Sequence, residues 1–185
     1  MKPILFNTEM VRAILEGRKT VTRRVVKFPK GQNPAWSGYI PDGGVLYGSN
    51  NIPAAKASYQ AGDILWIRET WNCLPIPEPL RGTSKTYWYK ADGAELKDKW
   101  RPSIHMPREA ARIFLRVTGV RVERLQDIDD DGVLSEGVEI GAPFDELWDR
   151  TVKSKDRPTY GWEANPWVWV IGFERISREE ALKDD

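Results

Sequence analysis

Four cations fall within seven residues in the run Gly17-Arg18-Lys19-Thr20-Val21-Thr22-Arg23-Arg24. A guanidinium presents a planar fork that matches phosphate oxygens and base edges. Arg18, Arg23 and Arg24, with Arg68 further along, are therefore candidates to hold a nucleic acid or nucleotide. Their plainer reading is ion pairing with the acidic stretch 127–149. Arg68 and Glu69 are neighbours on an expected strand and must face opposite sides. Glu69 and Trp71 stand near the end of that strand, where loops begin and sites gather.

Other chemistries find less support. His105 has no second histidine beside it, and Cys73 is the only cysteine. A Ser-His or Cys-His device and a structural zinc site are not expected. Asp129, Asp130 and Asp131 are compatible with a carboxylate Mg²⁺ site, but they read more simply as acids at a helix start, where the dipole favours them. No metal and no cofactor is expected. A lone cysteine excludes an intrachain disulfide and fits a reducing compartment. No charged-then-apolar leader and no membrane-length apolar run are visible, so a cytoplasmic protein without membrane contact is expected.

The 185 residues carry a net charge of only +1, with 41% apolar and 30% charged residues. The charge is unevenly placed. Residues 1–30 hold eight Lys/Arg against Glu9 and Glu16, whereas residues 121–150 hold three Arg against ten acids. Such an asymmetry suggests either pairing across the fold or two separate patches.

The elements that must position these residues follow from periodicity. Ile4–Phe6 reads as a strand. Asn7 or Thr8 can cap a helix whose Met10, Val11, Ile14 and Leu15 share a face, and Gly17 ends it. Thr20–Val26 reads as a strand. Residues 29–60 read as a long excursion with one hairpin around Asp42–Gly44. Ile64–Thr70 is a strand entered through Gly62-Asp63, and a second, proline-rich insertion follows before a short strand at Thr86–Lys90. Arg112–Arg124 is a long strand whose inward phase slips at Thr118-Gly119, as a bulge would cause. Asp129–Glu136 is a short helix ended by Gly137. Phe144, Leu147 and Trp148 mark another helix. Trp167–Arg175, apolar on both faces, reads as a central strand. Of the nine tryptophans, Trp66, Trp148, Trp167 and Trp169 are expected in the core. Trp36, Trp71, Trp88, Trp100 and Trp162 lie in or beside loops, where one or two could stack on a base.

This order lacks regular βαβ alternation and predicts an α+β chain with a mixed or antiparallel sheet, folded as one domain over 1–185. Three segments taken together carry a resemblance: Gly17–Arg24; Gly62-Asp63-Ile64-Leu65-Trp66-Ile67-Arg68-Glu69-Thr70-Trp71; and Ser135-Glu136-Gly137-Val138 followed by Pro166–Phe173. In this order they resemble the activating signal cointegrator homology (ASCH) domain of the PUA-like superfamily, in its longer, phage- or prophage-associated form. The resemblance implies a PUA-like β-barrel with peripheral helices, with insertions at about 29–60 and 74–104. It implies RNA or a modified nucleoside as partner.

Some small members hydrolyse the acyl amide of N4-acetylcytidine with a Lys, a Thr and a Glu that correspond to Lys19, Thr22 and Glu136. The implied activity is thus an amidohydrolase acting on N4-acylated cytidine. A non-catalytic RNA-binding module and a metal-independent ribonuclease are the alternatives. Amide hydrolysis needs a nucleophile, a base and oxyanion donors. A neutral Lys19 could activate Thr22, with Glu136 orienting the lysine or protonating the leaving amine. Alternatively, Thr22 positions substrate and Glu136 activates water. Burial and nearby arginines would lower the lysine pKa, and a close carboxylate would raise it. The trio is expected to meet in a solvent-accessible cleft.

Overall fold

The computed structural model describes residues 1–28, 36–40, 45–48, 53–74, 86–93 and 99–183. The chain is α+β. A mixed five-stranded sheet has the order β1-β6-β9-β10-β2, from Lys2–Leu5 (β1), Val21–Val25 (β2), Ile64–Arg68 (β6), Phe114–Arg124 (β9) and Trp167–Ile176 (β10). β1 runs parallel to β6, while β2 runs antiparallel to β10. The expected central placement of the last strand holds. β10 lies between β9 and β2, and Val168, Trp169, Val170 and Ile171 are buried in succession.

Backbone proximity divides the chain into two compact units, each made of separate stretches of sequence. The first comprises residues 1–17, 64–115 and 175–185. Its helix α1 (Thr8–Leu15) starts at Asn7, whose side chain accepts from the Met10 amide at 2.8 Å. Val11, Ala13 and Ile14 are the buried face. Gly17 ends the helix at φ +76°, a left-handed conformation that a Cβ disfavours. Trp71–Leu74 (β7) and Thr86–Tyr89 (β8) form a two-stranded antiparallel sheet. Ile64, Trp66, Ala111, Phe114 and Ala181 form one apolar cluster of this unit, and Trp71, Met106 and Ala110 another. Arg178–Lys183 (α5) closes it.

The second unit comprises residues 18–63 and 116–174. The first insertion holds more order than a single hairpin. Trp36–Ile40 (β3), Val45–Gly48 (β4) and Pro53–Lys56 (β5) form a three-stranded antiparallel sheet. The expected turn at Asp42–Gly44 lies outside the described residues, as do residues 75–85 of the second insertion.

Asp130–Ser135 (α2) is short. Asp129 caps it by accepting from the Gly132 amide at 2.8 Å, so this acid serves the helix start, and Gly137 ends it at φ +79°. Phe144–Thr151 (α3) and Arg157–Tyr160 (α4) follow. The core here joins Leu125, Trp148, Val168 and Val170, with Val21, Val25, Phe144 and Trp162 packed at its margin. No described helix is long and apolar enough to cross a membrane.

Candidate functional site

Backbone pairing builds the site in the second unit. Lys19 and Glu136 form an isolated antiparallel bridge, and the Thr20 amide donates to the Ser135 carbonyl at 2.9 Å. The residue leaving α1 is thereby held against the C-terminus of α2. Exposed Arg18 donates to the Gly137 carbonyl at 2.8 Å, just beyond that helix end.

Lys19 is 2% exposed. Its Nζ donates to the Glu136 carboxylate in a close ion pair, and to the Glu136 backbone carbonyl at 2.9 Å. Glu136 also accepts from Arg23 Nη1 at 3.3 Å. Arg23 directs Nε and Nη2 at Glu123 Oε1, at 2.9 and 2.7 Å, and Arg121 reaches the other oxygen of Glu123 at 3.2 Å. The basic N-terminal run and the acidic 121–150 run therefore pair with one another, the first of the two outcomes their asymmetry allowed.

Thr22 and Arg24 share a face of β2, two residues apart. Arg24 Nη1 donates to Thr22 Oγ1 at 2.6 Å and to the Arg23 carbonyl at 2.9 Å. The Thr22 hydroxyl thus accepts from a cation and retains its own proton to donate. β2 is anchored by its register with β10, where Thr22 stands opposite Ile171 and Arg23 opposite Val170.

The competition over Lys19 has an outcome. Burial is the largest influence and lowers its pKa below the ordinary lysine value. The Glu136 charge and hydrogen bond oppose it, and Arg24 and Arg23 push it down further. Arg24 is also lowered, chiefly by burial, but an arginine stays protonated throughout the working pH range. The cluster therefore contains one cation that can give up its proton and two that cannot.

Two expectations change here. Thr22 is 0% exposed, Lys19 2% and Glu136 7%, so the three residues are buried rather than open to solvent; Lys19 and Glu136 touch, and Thr22 is held by Arg24. Arg23, expected to meet phosphate, is 3% exposed and committed to two carboxylates. Pairing satisfies a buried guanidinium at less cost than leaving it bare.

The other expected residues belong to the first unit. Arg68 packs its guanidinium 4.9 Å from the Trp66 ring centroid. Trp71, expected beside a loop, is a buried member of β7.

Glu69 is 1% exposed. It accepts from Arg112 Nε and Nη2 at 2.9 and 3.1 Å, and the same guanidinium grips Asp92 at 2.8 and 2.9 Å. Arg112 also lies 3.9 Å from the Tyr89 ring centroid. Burial pushes the Glu69 carboxyl above the usual carboxylate range, while Arg112 pulls it back. The two carboxylates hold Arg112 above its ordinary value, and the doubly bidentate geometry favours the ionised set. Sequence reading passed over Arg112 and Asp92. A cation on the same strand run as Ile113 and Leu115 was the available signal.

Among the described residues no group of three or more His, Cys, Asp or Glu stands where it could hold a metal ion.

No family model matches this chain. No curated protein matches it either. Among solved structures it is similar to protein EF3133 from Enterococcus faecalis V583, described as family-model DUF984. The two share 12% sequence identity over 91% of this chain and 69% of that one, with a TM-score of 0.43.

Proposed function

We propose that the protein is an ASCH-type, PUA-like domain directed at RNA or modified nucleosides, and that it hydrolyses the amide of N4-acylated cytidine. The observation that supports this reading is the buried Lys19–Glu136 pair, with Lys19 pushed down by burial and Thr22 Oγ1 held by Arg24.

In this reading neutral Lys19 takes the Thr22 proton as Oγ1 attacks the acyl carbon. The C–N4 bond breaks, and the Lys19 ammonium returns a proton to N4, releasing cytidine. Water then cleaves the acyl-threonine ester to a carboxylic acid and free Thr22. Glu136 orients the lysine. Arg24 orients the Thr22 hydroxyl for attack. Substrate reaches Thr22 when these buried residues open to solvent.

Incubation of the protein with N4-acetylcytidine, read by chromatography for cytidine and acetate, tests the proposal. Release that is lost in Thr22→Ala supports it, and no release by the folded protein refutes it. The full burial of Thr22 favours a second reading, a non-catalytic RNA-binding module in which exposed Arg18 and Lys27 meet phosphate. That module would bind a polynucleotide with steep salt dependence and turn over nothing.

A further inference from the structure

Two arginines of β2 act on the Lys19 cluster, and their side chains do different work. Arg24 turns to Thr22 Oγ1. Arg23 joins two carboxylates. Its Nε and Nη2 both donate to Glu123 Oε1, and its Nη1 donates to Glu136 Oε1. The second oxygen of Glu136 carries Lys19. Exposed Arg121 donates to the second oxygen of Glu123. Charges therefore alternate along one path, Arg121–Glu123–Arg23–Glu136–Lys19, from an exposed side chain to a buried one.

The fold builds this path. Glu123 belongs to β9 and Arg23 to β2, with β10 between them, so the guanidinium spans the intervening strand. α2 packs on the same group, and a Cβ added at Gly132 would stand 3.0 Å from Arg23 Nη2. Glu136 caps the end of that helix. With Nε and Nη2 engaged by Glu123, the guanidinium reaches Glu136 through Nη1 alone, at 3.3 Å. Released from Glu123, the planar fork would be free to grip both oxygens of Glu136, as arginine and carboxylate commonly do, and to draw Glu136 from Lys19.

We propose that Glu123 is a positioning residue for the Lys19 base: by holding Arg23 across β10, it limits that guanidinium to one oxygen of Glu136 and leaves the other to orient the lysine. That Lys19 acts as a base rests on the hydrolase reading above. Among the described residues, Glu136, Arg24 and Arg23 are the charges that act on Lys19, and Tyr59 acts on Arg24 in turn. Without the Glu123 carboxylate, Arg23 becomes an uncompensated cation near Lys19 and competes for Glu136. Both changes favour the neutral amine. Removing Arg23 does the reverse, because Arg23 presses Lys19 down.

NMR titration of isotope-labelled lysine in the full chain, with the Lys19 signal assigned by its loss in Lys19→Met, reads this without substrate. Glu123→Gln should move the Lys19 titration to lower pH. Glu123→Asp, which keeps the charge, should return it toward the wild-type position. Arg23→Gln should move it to higher pH. The rising limb of kcat against pH on N4-acetylcytidine should move with the lysine in each variant. A Lys19 titration that is the same in Glu123→Gln as in wild type, or higher, overturns the proposal. So does a kcat that falls equally at every pH with the limb unmoved, the mark of a merely structural role. If Glu123→Gln does not fold, Arg23→Gln decides: a rise supports the path through Arg23, and a titration that stays or falls overturns it. A lysine that shifts as stated in a protein that releases no cytidine sinks the hydrolase reading alone. Release that Thr22→Ala abolishes, with a lysine indifferent to Glu123→Gln, sinks the positioning role alone.

Discussion

Each unit holds a charged cluster around a buried carboxylate, Glu69 in the first and Glu136 in the second, and the two answer it with different cations. In the first, Arg112 faces Glu69 and Asp92 with both edges of its fork and stacks on Tyr89. In the second, Lys19 faces Glu136, with Arg23 and Arg24 close by. A guanidinium cannot release its proton, so the Arg112 cluster is fixed in one charge state. A buried ammonium can, and burial has already moved Lys19 in that direction. One cluster is suited to holding structure. The other is suited to moving a proton.

That contrast is broken most directly by removing each cation. Lys19→Ala should lower kcat on N4-acetylcytidine by about 10²–10⁴-fold, the usual worth of a general base. Arg112→Ala should instead cost about 3–5 kcal/mol of stability, because Glu69 is left buried and unpaired, and urea unfolding reads this. A large kcat loss on substituting Arg112 with the fold intact, or an inert Lys19→Ala, would erase the distinction.

Conservative exchange sharpens it. Arg112→Lys should lose the paired hydrogen bonds at a cost of about 1.5–3 kcal/mol, by the usual worth of charge-assisted bonds. An unfolding midpoint equal to wild type would show that the fork geometry is not what holds this cluster.

The pH dependence of stability follows from the sign of the Lys19 shift. Its folded value lies below its unfolded value, so between the two the unfolded chain binds more protons. Stability therefore rises with pH across that window, up to the ordinary lysine value of about 10.5. The slope should vanish in Lys19→Met, as seen by unfolding at a series of pH values. A wild-type slope of the opposite sign would mean that Glu136, not burial, controls the lysine. The smallest effect concerns the turn that presents Glu136. Gly137→Ala forces a Cβ into φ +79° and should cost about 1–2 kcal/mol, read by thermal unfolding.

Much of this was legible along the chain, because local signals determined it. Asn7, Gly17, Asp129 and Gly137 bound their helices as read, and the apolar run at Val168–Ile171 identified an interior strand. What escaped is non-local or short. β7 spans four residues that include Asn72 and Cys73, shows no alternation, and gains its meaning only from pairing with β8. The capping box Ser177–Glu180, which starts α5, was a readable signal that went unread. Lys19 after a helix end reads as a solvated charge. Its burial depends on the bridge to Glu136, far away in sequence. Arg23 likewise reads as a phosphate ligand until Glu123 and Glu136 are placed beside it.

The central claim is that the Lys19 cluster is reactive. Single-turnover hydrolysis of N4-acetylcytidine by wild type, Thr22→Ser and Thr22→Ala tests it most directly. A nucleophilic hydroxyl predicts measurable release by wild type, substantial retained release by the serine variant, and loss by the alanine variant. Equal rates in all three proteins, or no release by any of them, would contradict the account.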